Sequence, residues 1–491
     1  MNPTIRPKVE LLSPAFVKTI IEEGLAVLES QGVFIENEEA LRLFQEAGMK
    51  VEKPTRRVFI TQKLVEKCLA TAPASITLAD RTGAKEFIVG GDNVHFDPGS
   101  AAVKILDHAR QAERPPVTDD VVDFVRLTDS LANLHFQSTG LVSGDVPDII
   151  ADSYRLYLGL LFSSKPVVTG TFKVEGFGPM RDMLQVVRGG ADALRSKPLA
   201  IFDACPSPPL KWSNLTTQSL IDSARAGLPS ELISMGMTGA TSPVTLAGTL
   251  VQHVAENLAG LIICQLAKPG APVVWGGSPS SFDMRRGTTP MGAIETMMID
   301  MGYTQIAKHL RLPTHAYMSL SDAKLNDSQA GLETALGAVL AGLAGVNVVS
   351  GPGMLNFESC QSQEKLVIDN EIAGMVYRLL DGISQREEPV AKHLFEAIIQ
   401  GGEFLTQPHT RQWYRKEHTF PAIADRDTYD AWVAAGRKTM DQRAHDEVQK
   451  LLAAKPPNLP APDVVRELGK IMAAEASRYG LSKLPKIPGI S

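Results

Sequence analysis

LPTHAYMSLSDAKLNDSQAG (312–331) and NVVSGPGMLNFESCQSQEKLVIDN (347–370) lie in one stretch between Lys308 and Asn370. Two short β-like runs, 313–320 and 346–349, each end in a small polar loop. The loops are Ser321-Asp322 in the first and Ser350-Gly351-Pro352-Gly353 in the second. Each loop feeds a long helical pattern. Strand, loop and helix in repetition is the unit of a parallel sheet. In such sheets chemistry gathers in the loops at the strands' C-terminal ends.

Moving outward, the same unit recurs upstream. The predicted strands are 94–97, 135–139, 167–172, 199–205, 232–238, 272–276, 314–319 and 346–349, each followed by a helical segment. Their starts lie roughly 30–40 residues apart, the spacing of a (β/α)8 repeat. The reading is a (β/α)8 TIM barrel over 91–385, with helical N-terminal (1–90) and C-terminal (386–491) extensions; an open doubly wound sheet is the alternative. Three helices are predicted in the lead-in, and the helix 119–131 shows the capping logic, with Thr118 as N-cap before Asp119 and Asp120. A Pro-rich linker is read at 456–462, and KLPKIPGIS at the end is read as extended.

Composition excludes several classes. A net charge of −6 carries no basic footprint for nucleic acid. No run of roughly 18 apolar residues marks a membrane span, and MNPTIRPKVELLSP has no apolar core of a signal peptide. Cys68, Cys205, Cys264 and Cys360 are scattered without C-x-x-C spacing, so a reduced, cytoplasmic protein is expected. Histidines form no H-x-x-x-H or H-x-H pair, and no metal site is predicted. No Walker sequence or G-x-S-x-G elbow occurs.

Strand parity selects the inward side chains. Ala316, Met318 and Leu320 should face the helices, and His315, Tyr317, Ser319 and Ser321 the interior. Asp97 shares a face with His95, Asp203 with Ile201 and Cys205, and Gln137 with His135 and Thr139. Inward carboxylates, a tyrosine and hydroxyls near the strand tops make a polar pocket. Asp97, Asp203, Ser319 and Asp322 are its candidate catalytic groups. The strand ends are also glycine-rich, including Gly277, Gly351 and Gly353, which lowers the rim for a large group.

At the opening stretch, SDAKLNDSQAGLETA, LAGVNVVSGPGML and LVIDNEIAGM resemble the trimethylamine methyltransferase family. So do WGGSPSSFDMRRGTTPMGAIE, TGTF and the tail FLTQPHTRQWYRKEHTFPAIADRDTYDAWVAAGRK, over roughly residues 10–445. The resemblance implies a (β/α)8 barrel that moves a methyl group from a methylated amine to the Co(I) of a separate corrinoid protein. The archaeal trimethylamine enzymes carry pyrrolysine, and this chain has only the twenty ordinary residues. That points to the branch lacking pyrrolysine, whose members demethylate quaternary amines such as glycine betaine.

The resemblance implies a quaternary amine as substrate, a corrinoid (cobalamin) arriving on a cognate partner protein, and a homo-oligomer. Glycine betaine leads; proline betaine, carnitine and γ-butyrobetaine follow. A quaternary cation binds among aromatic faces, for which Phe172, Trp275, Tyr317 and Phe202 are candidates, with Gln137 and His315 beside them. Gly277, Ser321, Gly351, Gly353 and Met354 are candidates for the corrin-facing rim. The backbone at 351–354 or Arg285 is a candidate for a substrate carboxylate. Two rivals are a betaine-binding barrel without catalysis and a Schiff-base lyase using Lys324.

Overall fold

Eight parallel strands close on themselves in the computed structural model, which describes residues 4–99, 101–454 and 459–490. They are β1 (His95–Asp97), β2 (Gln137–Ser138), β3 (Val167–Gly170), β4 (Ala200–Ala204), β5 (Ser230–Ser234), β6 (Val273–Gly277), β7 (His315–Tyr317) and β8 (Val348–Ser350). β2 to β6 pair in sequence order, and β7, β8 and β1 form the other arc. Single bridges Trp275–Thr314 and Phe96–Leu134 join the arcs, so the open-sheet alternative is excluded. The helices between are α1 (Thr118–Ser130), α2 (Asp148–Phe162), α3 (Phe177–Arg188), α4 (Asn214–Ala226), α5 (Leu246–Ala267), α6 (Ile294–His309), α7 (Ser328–Ala344) and, after β8, α8 (Gln363–Leu380).

Local chemistry sets these boundaries. Ser213, Thr245, Asp327 and Ser362 accept first-turn amides of α4, α5, α7 and α8, each satisfying an orphan donor. α1 departs from the expected cap. Val117 is its N-cap residue, and Asp120 reaches back to the Val117 amide. The Thr118 hydroxyl instead donates to Asp145 Oδ1 at 2.9 Å. Buried Asn347 clamps the N-terminal side of the barrel, accepting from Thr314 N and donating to Gly91 O and Asn93 O.

The N-terminal extension is not purely helical. Besides Pro14–Ser30, Glu38–Glu46 and Gln62–Leu69 it holds a small sheet and a hairpin, Ser75–Ala79 with Glu86–Gly90. Alternation puts Ile76, Leu78, Phe87 and Val89 on one face of that hairpin. They pack with the inward Phe136, Val168, Ile201, Val274 and Val348 of the barrel strands. An apolar plug therefore closes the barrel's N-terminal end. α5 is long and apolar enough to cross a membrane, but it is mostly buried here, packed with helix Pro14–Ser30 and the barrel.

Beyond α8 the described residues carry helices, as read from sequence. Met440–Ala453 packs on α8, and Pro462–Arg478 packs on α3 and α2. Lys173 and nearly buried Glu475 form an ion pair at 2.6 Å that ties the last helix to the segment after β3. Of the Pro-rich linker, residues 456–458 lie outside the described residues; Pro462 already starts the last helix. Ser491 of the terminal run also lies outside them.

Candidate active site

A cavity of about 260 Å³ opens at the C-terminal ends of the strands. Three of the candidate catalytic and substrate-binding residues line it, Asp203 of β4, Tyr317 of β7 and Phe172 just past β3, together with Thr139 and Cys205 of the parity sets. Val168 forms part of the floor, continuous with the apolar plug. Arg155 of α2 enters from the side; its guanidinium lies 4.3 Å from the Phe172 ring centroid and donates to Thr139 O. Half-exposed Phe172 and Met235 stand at the mouth.

Below and beside Tyr317 runs a polar chain with no solvent exposure to speak of. His315 packs edge-on to Tyr317 at 4.6 Å. Its Nε2 is 2.9 Å from Ser350 Oγ, and Ser350 Oγ donates to Asp97 Oδ1 at 2.6 Å. On the other side His315 Nδ1 is 3.3 Å from Glu231 Oε1. Glu231 and Asp203 neighbour each other, and their proximity favours a protonated Glu231 carboxyl. Gly276 makes room for this row, because a Cβ there would lie 2.8 Å from His315 Nδ1.

The fourth acid comes from an unusual loop. Asn356, Phe357 and Glu358 all have left-handed backbone, with φ of 49°, 55° and 64°. Such conformations cost non-glycine residues about 1–3 kcal/mol each and cluster at functional sites. Here they aim Glu358 into the cavity, where its Oε1 is buried without a hydrogen-bond partner.

These carboxyls are held towards their neutral forms, because a charge removed from water is disfavoured. Burial pushes Asp97 up to about 7 against the bonds from Ser350 and Gly99. Burial pushes Asp203 up to about 7 against Glu231's hydrogen bond and the Arg155 charge. Glu358 rises to about 8 through burial and repulsion from Asp322, Asp203 and Asp97. Glu231 rises well above the carboxylate range through burial and the neighbouring Asp203. His315 is neutral, its pKa lowered to about 3 by burial. The site is a set of acids near neutrality that an entering cation would ionise.

Other predicted residues stand elsewhere. Trp275 faces outward, its ring centroid 5.8 Å from that of His253 on α5. Phe202 also faces outward, onto Phe177. Gly277 abuts His253 and Tyr303 on its helix side. Gln137 and Ser319 are fully buried but do not line the cavity; the Ser319 hydroxyl has no partner. Asp322 accepts the amides of Met291 and Gly292, both at 3.0 Å, so it anchors the loop after β6. Ser321 Oγ donates to Glu333 Oε2 at 2.6 Å.

The Gly351–Met354 rim is closed to ligands. Gly351 N donates to Asp97 O, Gly353 N to Asp369 Oδ2 and Met354 N to Gly351 O. Buried Met354 packs below Gly99, and a Cβ on Gly351, with φ of 126°, would meet the Ser319 backbone. No amide there remains for a substrate carboxylate. Arg285 is exposed and paired with Asp283 at 3.1 Å. Lys324 Nζ donates to Asp322 O and lies over Phe357, outside the cavity lining, which leaves the Schiff-base reading without its amine.

Sequence reasoning missed Glu231, Glu358 and Arg155. The spacing begins the fifth strand at Leu232, one residue after Glu231, whereas the strand runs Ser230–Ser234. Glu358 lies beyond a strand, in a loop whose backbone no periodicity reports. Arg155 sits in a helix whose pattern gave no reason to look for a site.

Fold and site together define a (β/α)8 barrel with an acid-lined cavity at the strands' C-terminal mouth, the place where barrel enzymes hold their active sites. The chain belongs to the trimethylamine methyltransferase (MTTB) family, whose model matches residues 2–479. It is 33% identical to the trimethylamine methyltransferase MttB of Desulfitobacterium hafniense (strain DSM 10664 / DCB-2), over 94% of this chain and 92% of that protein. It is also 33% identical to the glycine betaine methyltransferase of Desulfitobacterium hafniense (strain Y51), over 96% and 98%. Among solved structures, the Methanosarcina barkeri monomethylamine methyltransferase (MtmB) superposes with a TM-score of 0.54 at 12% identity, covering 96% of this chain and 89% of that one.

Proposed function

We propose that this chain moves a methyl group from a quaternary amine to the Co(I) of a corrinoid carried by a partner protein, leaving a tertiary amine. Glycine betaine is the first substrate to try. One observation carries the reading: a family member places four raised carboxyls and the rings of Tyr317 and Phe172 around or just beneath one small cavity. A quaternary ammonium is attracted to aromatic faces and to ionising carboxyls alike. Arg155 is the cation within reach of a substrate carboxylate.

The corrinoid, as methyl acceptor, supplies the nucleophilic electron pair. The residues of this chain bind, orient and desolvate. A quaternary ammonium releases a neutral amine, which takes the electron pair of the broken C–N bond, so no covalent activator is required of the protein. Placing the methyl group at the mouth, where a partner docks, is a positioning task. Exposed Phe172 and Met235, with Val244 and Met284 beside Gly239, form an apolar rim for that partner. A cytoplasmic location belongs to the same proposal.

The test is a methyl-transfer assay with purified protein, reduced cobalamin and a panel of glycine betaine, proline betaine, carnitine, γ-butyrobetaine and trimethylamine, followed by the cobalamin absorption spectrum. Turnover of at least one quaternary amine is expected. Turnover of trimethylamine alone, or of none, would overturn the reading.

A further inference from the structure

Outside the cavity, three residues distant in sequence come together at the foot of the C-terminal extension. His108 lies in the turn after strand Lys104–Asp107, Glu364 is the second residue of α8, and His445 is in helix Met440–Ala453. One ligand atom from each can be chosen so that all three lie within 4.8 Å of one another. The two imidazoles stack in parallel, with centroids 4.0 Å apart and planes 8° apart. None of the three lines the cavity.

Hydrogen bonds organise the cluster. Asp441 Oδ2 is 3.0 Å from His108 Nε2, and Glu364 Oε1 is 2.9 Å from His445 Nδ1. Asn326 Nδ2 donates to Asp441 Oδ1 at 3.1 Å and to Ser362 Oγ at 2.9 Å. Ser362 Oγ donates in turn to Glu364 Oε2 at 3.3 Å. A carboxylate that fixes the orientation of an imidazole, as Asp441 does for His108, is the usual support of a metal-binding histidine. The Glu364 side chain is nearly buried, while His108 and His445 are about a quarter and a third exposed. The cluster is thus anchored on one side and open to entering ions on the other.

We propose that His108, Glu364 and His445, with Asp441 beside them, form a site for a divalent transition metal. Two imidazole nitrogens and a carboxylate oxygen are a donor set suited to zinc, cobalt or nickel. Ligands of a tetrahedral zinc ion, with bonds of about 2.0–2.1 Å, stand roughly 3.3 Å apart, so small side-chain rotations close the set. Two carboxylates match the ion's double charge. The ion would clasp helix Met440–Ala453 to the start of α8 and to the strand Lys104–Asp107. Its role is structural, and it stands whatever the barrel's substrate is.

The test uses the tag-free full chain, stripped with chelator and titrated with Co²⁺, then with Zn²⁺ in competition. One equivalent of cobalt with the visible absorption of a four-coordinate site is expected. Zinc should raise the melting temperature by roughly 2–3 °C at ~100-fold excess over Kd, and slow amide exchange in 440–453. His108→Gln and Glu364→Gln should each abolish the absorption and the rise while keeping the circular dichroism of the folded barrel. Should a histidine variant fail to fold, Asn326→Ala, which keeps every ligand, must still bind cobalt, more weakly. Absence of a stoichiometric cobalt spectrum in the unmodified chain, or an unchanged spectrum in Glu364→Gln, would overturn the proposal.

Discussion

Tyr317 and Glu358 both line the cavity, and each makes its own prediction. The Tyr317 ring can present a face to an ammonium group, worth roughly 0.5–2 kcal/mol. Tyr317→Leu should therefore weaken calorimetric affinity for the methylated amine about 2- to 30-fold, at about tenfold per 1.4 kcal/mol. Tyr317→Phe should keep most of it; equal affinity in the wild type and Tyr317→Leu would remove Tyr317 from the site. Glu358 is protonated in the folded protein up to about 8, against an ordinary 4.5. The folded state then binds more protons than the unfolded one, so stability falls as pH rises from about 5 through 8. Glu358→Gln removes that loss, and its melting temperature should gain on the wild type over this window. A constant difference from pH 5 to 9 would show that Glu358 is not held neutral. Asp203 and Tyr317 are legible in sequence because period-2 parity, with apolar residues alternating beside them, assigns faces. Glu231 and Glu358 are not, since parity needs the strand's first residue and says nothing about a left-handed loop.

At the scale of elements, two pieces shape the barrel without touching a ligand. The hairpin Ser75–Ala79 with Glu86–Gly90 inserts Phe87 among the inward strand residues. Phe87→Ala should cost about 3–5 kcal/mol, read as a lower urea midpoint. A change below about 1 kcal/mol would mean that the hairpin does not seal the barrel. Asp322 holds the loop after β6 by two amides. Asp322→Ala leaves both without their acceptor, at about 1–3 kcal/mol each where they stay buried, and proteolysis should concentrate at 283–293. The eight strands and their helices were readable from N-caps and apolar spacing. The hairpin is readable too, since SITLA and EFIVG alternate, but it lies inside a lead-in whose dominant spacing is helical. Trp275 escaped a correct placement because its neighbours on both sides are apolar or glycine, so parity had no contrast to work with.

For the whole molecule, the acids act as a set. A bound quaternary cation favours their ionised forms, so binding should release protons, most strongly near pH 7, where Asp97 and Asp203 stand half-ionised. Calorimetry in buffers of different ionisation enthalpy measures this directly. Identical apparent enthalpies in all buffers from pH 6 to 8 would place the ammonium away from the carboxyls.

The plug beneath the cavity makes the barrel, among the described residues, a well closed at its base rather than a tube. Anything that leaves must retrace the route by which it came. With a second macromolecule seated over the mouth, the small molecule beneath has no exit, so traffic runs last in, first out. On the proposed function, the bulky partner would have to depart before the small product could, and a tightly held partner would throttle turnover even when the chemistry below it is fast.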